Sequence, residues 1–287
     1  MIAPFFGVLF DGFAYGMLLF LLSVGLSVTL GMMNFVNLAH CSFAMLGGYV
    51  AVTLMNDLEW PFLATLPVSF VAAAAVSVVL ERVLYRHLYR SSDLDQCLLT
   101  IGIVFISIAT AAYVYGTIQQ PVQVPSYLRG SVVVMGINFA LYRLFLIGAA
   151  LAITVILVAS LEYTRFGAQV RAAVDNQRMA RGLGINVNGV FAVSFALGSG
   201  LAGMGGALAI AIVGLDTSFA FTYLIYVLIV VSVGGLGSIG GSFAAATLLG
   251  ISDVAGKYYV PELGSFLIYL VMVGLLMWRP AGLFGKR

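Results

Sequence analysis

Nine apolar runs, near residues 8–30, 34–55, 62–80, 97–115, 143–161, 189–212, 220–235, 240–256 and 263–278, leave this chain little choice but membrane helices. An apolar stretch of roughly 18–20 residues crosses the hydrocarbon core as a helix. Of the 287 residues, 62% are hydrophobic and 8% charged, against about 25% charged in a soluble domain. The expected fold is an all-α polytopic membrane protein of about nine (eight to nine) transmembrane helices. It forms one domain over residues 1–287, with no room for a soluble catalytic domain. The net charge of +2 carries no nucleic-acid signal, because the basic residues sit in short loops. The expected surroundings are a lipid bilayer and no nucleic acid.

Charge then sets the orientation. Arg82, Arg86 and Arg90 fall in one loop, Arg165, Arg171, Arg178 and Arg181 in another, and Arg279, Lys286 and Arg287 in the tail. With nine spans these three segments share one side, and they hold 10 of the 13 basic residues. The positive-inside rule makes that side cytoplasmic. The N-terminus, Asp57, Glu59, Asp216, Glu262 and an extended loop from Pro121 to Pro125 are then outside; eight spans would flip only the N-terminus. The opening MIAPFFGVLFDGFAYG lacks the basic region of a signal peptide, so the first span is expected to be retained. Residues 25–55 make a poor uniform span, because Gly31, Asn34, Asn37, His40, Gly47 and Gly48 interrupt them. Unpaired backbone cannot face lipid, so a broken helix buried among others is expected there.

Motifs for chemistry are missing. There is no GxxxxGK[ST] phosphate loop and no HExxH. Leu197 precedes Gly198–Ser199–Gly200, which spoils a rhomboid-type GxSG nucleophile. Cys41 and Cys97 match no metal or redox spacing and read as packing residues. His87 lies in a basic loop and reads as solvated. Asp11 and Asp253 are expected near outer helix ends, in contact with water. Without a midplane carboxylate, an ion-coupled transporter is disfavoured, and any uphill movement needs an outside motor.

Three features remain. The segment GMMNFVNLAHCSFAMLGGY places Asn37, His40 and Ser42 within two turns. They either cross-link helix ends or line a solute path. The glycine-rich run 231–250 contains Ser232, Gly235 and Ser238 around a turn at 234–241. Small residues there allow tight helix packing, and the turn also reads as a hinge or gate. Gly198, Ala202 and Gly206 share one helical face, again for close packing. The third is a charged island, TRFGAQVRAAVDNQRMARGLGINV at 164–187. It reads as a short amphipathic helix with Val170, Val174 and Met179 on one side and Arg171, Asp175 and Arg178 on another. An Arg171–Asp175 pair adds at most a few tenths of a kcal/mol, and Gly182 and Gly184 end the helix. Such a segment either lies on anionic lipid or docks a partner.

The blocks NLAHCSFAMLGGY (37–49), LDQCLLTIGI (94–103), the island (164–187), VGGLGSIGGSF (233–243) and RPAGLFG (279–285) occur in this order across almost the whole length. Together they resemble the permease subunits of branched-chain (hydrophobic) amino acid ABC importers. Leu38, Cys41 and Ala168 depart from that pattern, which commonly has Phe, Gly and a basic residue there. The resemblance implies a second homologous permease, two cytoplasmic ATPase subunits that bind the ATP and Mg, and a periplasmic solute-binding protein. This chain itself would bind no cofactor or metal and catalyse no reaction. It implies a coupling helix on residues 166–183 within a cytoplasmic segment 162–188, carrying Arg165, Arg171, Asp175, Arg178 and Arg181. It implies residence in the bacterial cytoplasmic (inner) membrane, and, by analogy of span count, a fold similar to the vitamin B12-importer type. Competing readings are the same architecture importing urea, short amides, or aromatic or dicarboxylic acids; a stand-alone channel; and an intramembrane enzyme centred on His40 and Ser42.

Overall fold

The computed structural model describes residues 2–33, 35–89, 91–122, 124–134 and 137–285. Asn34, Arg90, Gln123, Lys286 and Arg287, which figured in the expectations above, lie outside the described residues. Twelve helices follow in order among the described residues: α1 (Ile2–Met33), α2 (His40–Asn56), α3 (Phe62–Leu80), α4 (Arg86–Leu88), α5 (Asp93–Tyr115), α6 (Leu141–Tyr163), α7 (Arg165–Asp175), α8 (Gln177–Gly182), α9 (Val187–Val213), α10 (Phe219–Gly234), α11 (Ile239–Tyr259) and α12 (Gly264–Trp278). A π-helical turn, Glu81–Tyr85, joins α3 to α4. Each expected apolar run is helical over most of its length. Six membrane-length apolar helices are present: α1, α3 with its extension, α5, α6, α9 and α11. Helices α2, α10 and α12 are shorter, at 17, 16 and 15 residues.

One departure from an all-helical chain is a hairpin of β1 (Ser131–Val134) and β2 (Ile137–Ala140), paired antiparallel with Ser131 opposite Ala140. The β-branched run Val132–Val134 favours an extended backbone. Phe139 meets Phe10 edge-to-face, ring centroids 4.7 Å apart, so the hairpin packs on the N-terminal part of α1.

The centre of the molecule is built on missing side chains. Helix α11 runs antiparallel to α1, with Gly12 against Ile251, Gly16 against Ala246 and Gly31 against Gly237. Helix α9 crosses α1 at Gly25 and Gly198, and α2 at Gly206 and Ala44, where a Cβ on Gly206 would come within 1.9 Å of the Ala44 carbonyl oxygen. Membrane helices lack a hydrophobic drive to associate, so close backbone approach and the dispersion it yields hold them together. The packing expected for Gly198 and Gly206 is therefore found. Cys41 is buried and Cys97 half-buried, both as free thiols.

Candidate functional site

The interruption expected in residues 25–55 is confined to the link between α1 and α2. Helix α1 runs unbroken through Gly25 and Gly31 to Met33. His40, the first residue of α2, then lies beside Leu22, its Nε2 3.0 Å from the Leu22 carbonyl. At 1.5 Å per residue that is about 16 Å back along α1 from Met33. The link therefore re-enters the bundle, and Phe35, Asn37 and Ala39 are buried there without helical hydrogen bonding.

Such backbone must find partners inside the protein. The Val36 N–H donates to Gln96 Oε1 at 3.1 Å, and Gln96 Nε2 donates in turn to the carbonyls of Leu88 and Ser91. Asn37 Oδ1 accepts from the Ala39 N–H at 3.1 Å. Its Nδ2, also buried, has no partner among the described residues. Because a carbonyl only accepts, His40 Nε2 carries the proton in this bond. His40 is thus a cross-link between α1 and α2.

Two residues further along α2, the Ser42 and Ser107 hydroxyls stand 2.8 Å apart. They open on a cavity of ≈230 Å³ between α2, α3 and α5. Its walls are aliphatic, from Met45, Leu46, Leu80, Ile103 and Val114. Tyr49 and Tyr115 border it as a stacked pair with ring centroids 4.3 Å apart. Tyr115 is tied to Thr53 by a 2.9 Å bond, whereas the buried Tyr49 hydroxyl has no partner among the described residues.

Ser232, Gly235 and Ser238 are placed elsewhere, around the α10–α11 turn beside Gly31 and Gly237. Measured along α1 from Leu22, this is roughly 14 Å away. Ser238 caps α11 by accepting from the Gly241 N–H at 3.0 Å. Gly235 holds φ +96°, a region that side chains rarely tolerate. The RPAGLFG tail clamps this turn, with Leu283 and Phe284 N–H groups donating to the Val233 and Gly234 carbonyls. The six residues expected on one path or gate therefore form two separate groups.

The charged island is two helices, not one. Thr164 caps α7 through the Gly167 N–H, and Asn176 ends α7 while capping α8 through the Met179 N–H. Asn186 caps α9 in the same way. Val170, Ala173 and Ala180 are buried against Val187, Val190 and Phe191 of α9. Val174 and Met179, expected on the apolar side, are instead exposed. The break at Asn176 rotates the second helix and so misplaces Met179; Val174 precedes the break, and α7 buries Gly167, Val170 and Ala173 instead. The expected Arg171–Asp175 pair is not formed among the described residues; Arg171 turns back to the Leu161 carbonyl at the end of α6. Gly167 permits that approach, since its Cβ would overlap the same carbonyl. Arg165, Asp175, Arg178 and Arg181 are exposed, with Arg181 3.3 Å from Asn188 Oδ1.

Two carboxylates are buried, Asp253 against expectation. Asp253 is 1% exposed, its Oδ2 2.6 Å from Lys257 Nζ, so it is paired inside the bundle and not wet. Glu81 is buried and accepts a 2.8 Å bond from the Tyr89 hydroxyl. Burial, with that carboxylate as acceptor, holds Tyr89 above the ordinary phenol range. Asp11 is half-exposed and paired with Arg143. His87 is exposed as expected, near Arg86 and Arg181 around a polar cleft. No cluster of metal-binding side chains occurs among the described residues.

These features define a multi-pass helical membrane protein with a polar break inside its bundle and a charged helical pair outside it. Residues 8–276 match the family described as the permease component of branched-chain amino acid transport systems, and the chain belongs to that family. It is 26% identical to the high-affinity branched-chain amino acid transport system permease protein BraD of Pseudomonas aeruginosa, over 97% of this chain and 95% of that protein. It is 28% identical to the corresponding LivH protein of Escherichia coli, over 97% and 94%. A probable LivH permease of Methanocaldococcus jannaschii is also 28% identical, over 94% and 90%. No solved structure gives a significant match.

Sequence reasoning missed Gln96, Ser107 and the Tyr49–Tyr115 stack. Gln96 did leave a signal, as an amide one turn into an apolar helix. Ser107 and the tyrosines looked like ordinary span residues, and only their meeting across α2 and α5 marks them.

Proposed function

We propose that the chain is the membrane-spanning permease subunit of an ATP-driven importer for branched-chain or related small hydrophobic amino acids. It sits in the cytoplasmic membrane with nine spans, the N-terminus outside and the tail inside, in a fold of the vitamin B12-importer type. It pairs with a second homologous permease to enclose the solute path. Two cytoplasmic ATPase subunits bind the ATP and Mg, and an external solute-binding protein delivers the amino acid.

The observation that carries this reading is the α7–α8 pair. Val170, Ala173 and Ala180 pack in a cluster with α9, while Arg165, Asp175, Arg178 and Arg181 project outward beside the exposed Val174 and Met179. A surface helix held by lipid would turn an apolar side to the membrane and its basic side to the headgroups. Here the Val170–Ala173–Ala180 side is used internally, which leaves a mostly charged knob, with Val174 and Met179 among its arginines, suited to a protein partner. Closure of the ATPase pair would push this knob, and α9, to which it is bolted, would carry the movement into the crossings with α1 and α2.

The test is charge reversal in the assembled, reconstituted transporter. Arg178→Glu, and Asp175→Ala combined with Arg171→Ala, are expected to abolish uptake while the subunits still assemble. Full ATP-driven uptake in these variants would overturn the coupling role.

A further inference from the structure

The cavity between α2, α3 and α5 has a composition that invites a definite occupant. It is lined mainly by aliphatic side chains with Phe43 and is open on the side of Val76 and Val114, with hydroxyls at Ser42, Ser107, Thr110 and the two tyrosines. Its ≈230 Å³ falls below the roughly 300–1,000 Å³ of pockets for drug-sized ligands. A carboxylate driven into such walls would lose its hydration without a counter-charge, which is prohibitive. An aliphatic group loses nothing. One polar atom at the border is unsatisfied: the Tyr49 hydroxyl, on a residue 3% exposed. Buried polar groups are nearly always paired in finished structures, so an orphan beside an apolar cavity marks a place where a ligand's polar end supplies the missing bond.

We propose that this cavity receives the aliphatic side chain of the transported amino acid, with the Tyr49 hydroxyl and the Ser42–Ser107 pair facing its polar end. The inference rests on the importer reading and deepens it. It assigns selectivity for side-chain size to the permease, in addition to whatever the binding protein selects. The stacked Tyr49–Tyr115 pair, held by Thr53, forms one rim of the cavity. Ser42 sits in the first turn of α2, so movement of α2 against α5 would pull the Ser42–Ser107 contact apart and change the cavity's width.

The experiment uses the complete transporter, with its ATPase and binding-protein partners, in liposomes fed separately with leucine and alanine. Ala111, buried in the cavity wall, is changed to Leu to fill the space. The expected result is a fall of about tenfold or more in leucine uptake relative to alanine, the scale on which a pocket discriminates small differences in side-chain bulk. An unchanged leucine-to-alanine ratio overturns the proposal. If Ala111→Leu does not assemble, Val114→Ala decides, since it enlarges the half-open side and cannot overpack. A rise in phenylalanine uptake relative to leucine supports the cavity, and an unchanged ratio overturns it. Wild-type complex that carries no aliphatic amino acid overturns the importer's solute and the cavity together. Wild-type complex that carries leucine, with ratios unmoved in the variants, overturns the cavity alone.

Discussion

Helices α6 and α9 are both long enough to cross a membrane, and their hydropathy ranks them in the wrong order for burial. Helix α6 is the most apolar of the six such helices and the least buried, with 11% of its span inside the molecule. Helix α9 is less apolar and 67% buried. In water the more apolar helix would go inside. In a bilayer the solvent is itself apolar, so greasy side chains gain nothing by leaving it. What earns a central place is the capacity for close contact, and α9 has it in Gly198, Gly203 and Gly206, which meet the backbone of α1, α2 and α3. Helix α6 has the single Gly148, with open space around it. It is tied inward by Tyr142, whose hydroxyl donates to the Leu208 carbonyl at 2.7 Å.

The sharpest way to break this comparison is Gly206→Ala. Its Cβ would strike the α2 backbone at Ala44, so we expect destabilisation of about 3 kcal/mol or more, visible as a lowered midpoint in thermal unfolding of the detergent-solubilised protein. An unchanged midpoint would show that the α9–α2 crossing is slack. Next comes Gln96→Leu, which strips the acceptor from Val36 and the donor from Leu88 and Ser91. A loss of about 2 kcal/mol is expected, together with reduced uptake, because the re-entrant link then has unpaired backbone. Gly148→Ala is the matched control on the lipid-facing side. It should raise stability by about 0.5–1 kcal/mol, and destabilisation there would mean that α6 is packed against something after all. The smallest effect is expected for Arg178→Glu, within about 0.5 kcal/mol of wild type in the same unfolding assay. Its consequence belongs to coupling and not to folding.

The contrast also explains what could be read from the chain. The positions of the apolar runs were legible, because hydropathy reports helices that must avoid water. Their arrangement was not, because burial inside a membrane follows small residues and local polar bonds. Asn37 and His40 marked the link between α1 and α2, whereas Gly31 lies within α1 and Gly47 and Gly48 within α2. That the link turns back to bring His40 to Leu22 was not legible, and its partner Gln96, which holds the Val36 N–H, is distant in sequence. Asp253 read as a wet residue near a helix end, yet Lys257 one turn later lets it stay buried. Met179 was misplaced because the cap at Asn176 looked like another helical residue, and Val174 because α7 buries Gly167, Val170 and Ala173 instead. Ser42 and Ser238 were singled out together for being polar in apolar runs, but only Ser42 borders a cavity; Ser238 is a helix cap.

The central claim is that this chain works as one subunit of a motor-driven assembly, and one measurement addresses it directly. The tagged chain is purified from its native membrane in mild detergent, and the co-purifying subunits are identified by mass. The account predicts two ATPase subunits and a second, homologous permease in the complex. A chain that emerges alone, or only with itself, and passes amino acids through liposomes without ATP would contradict it.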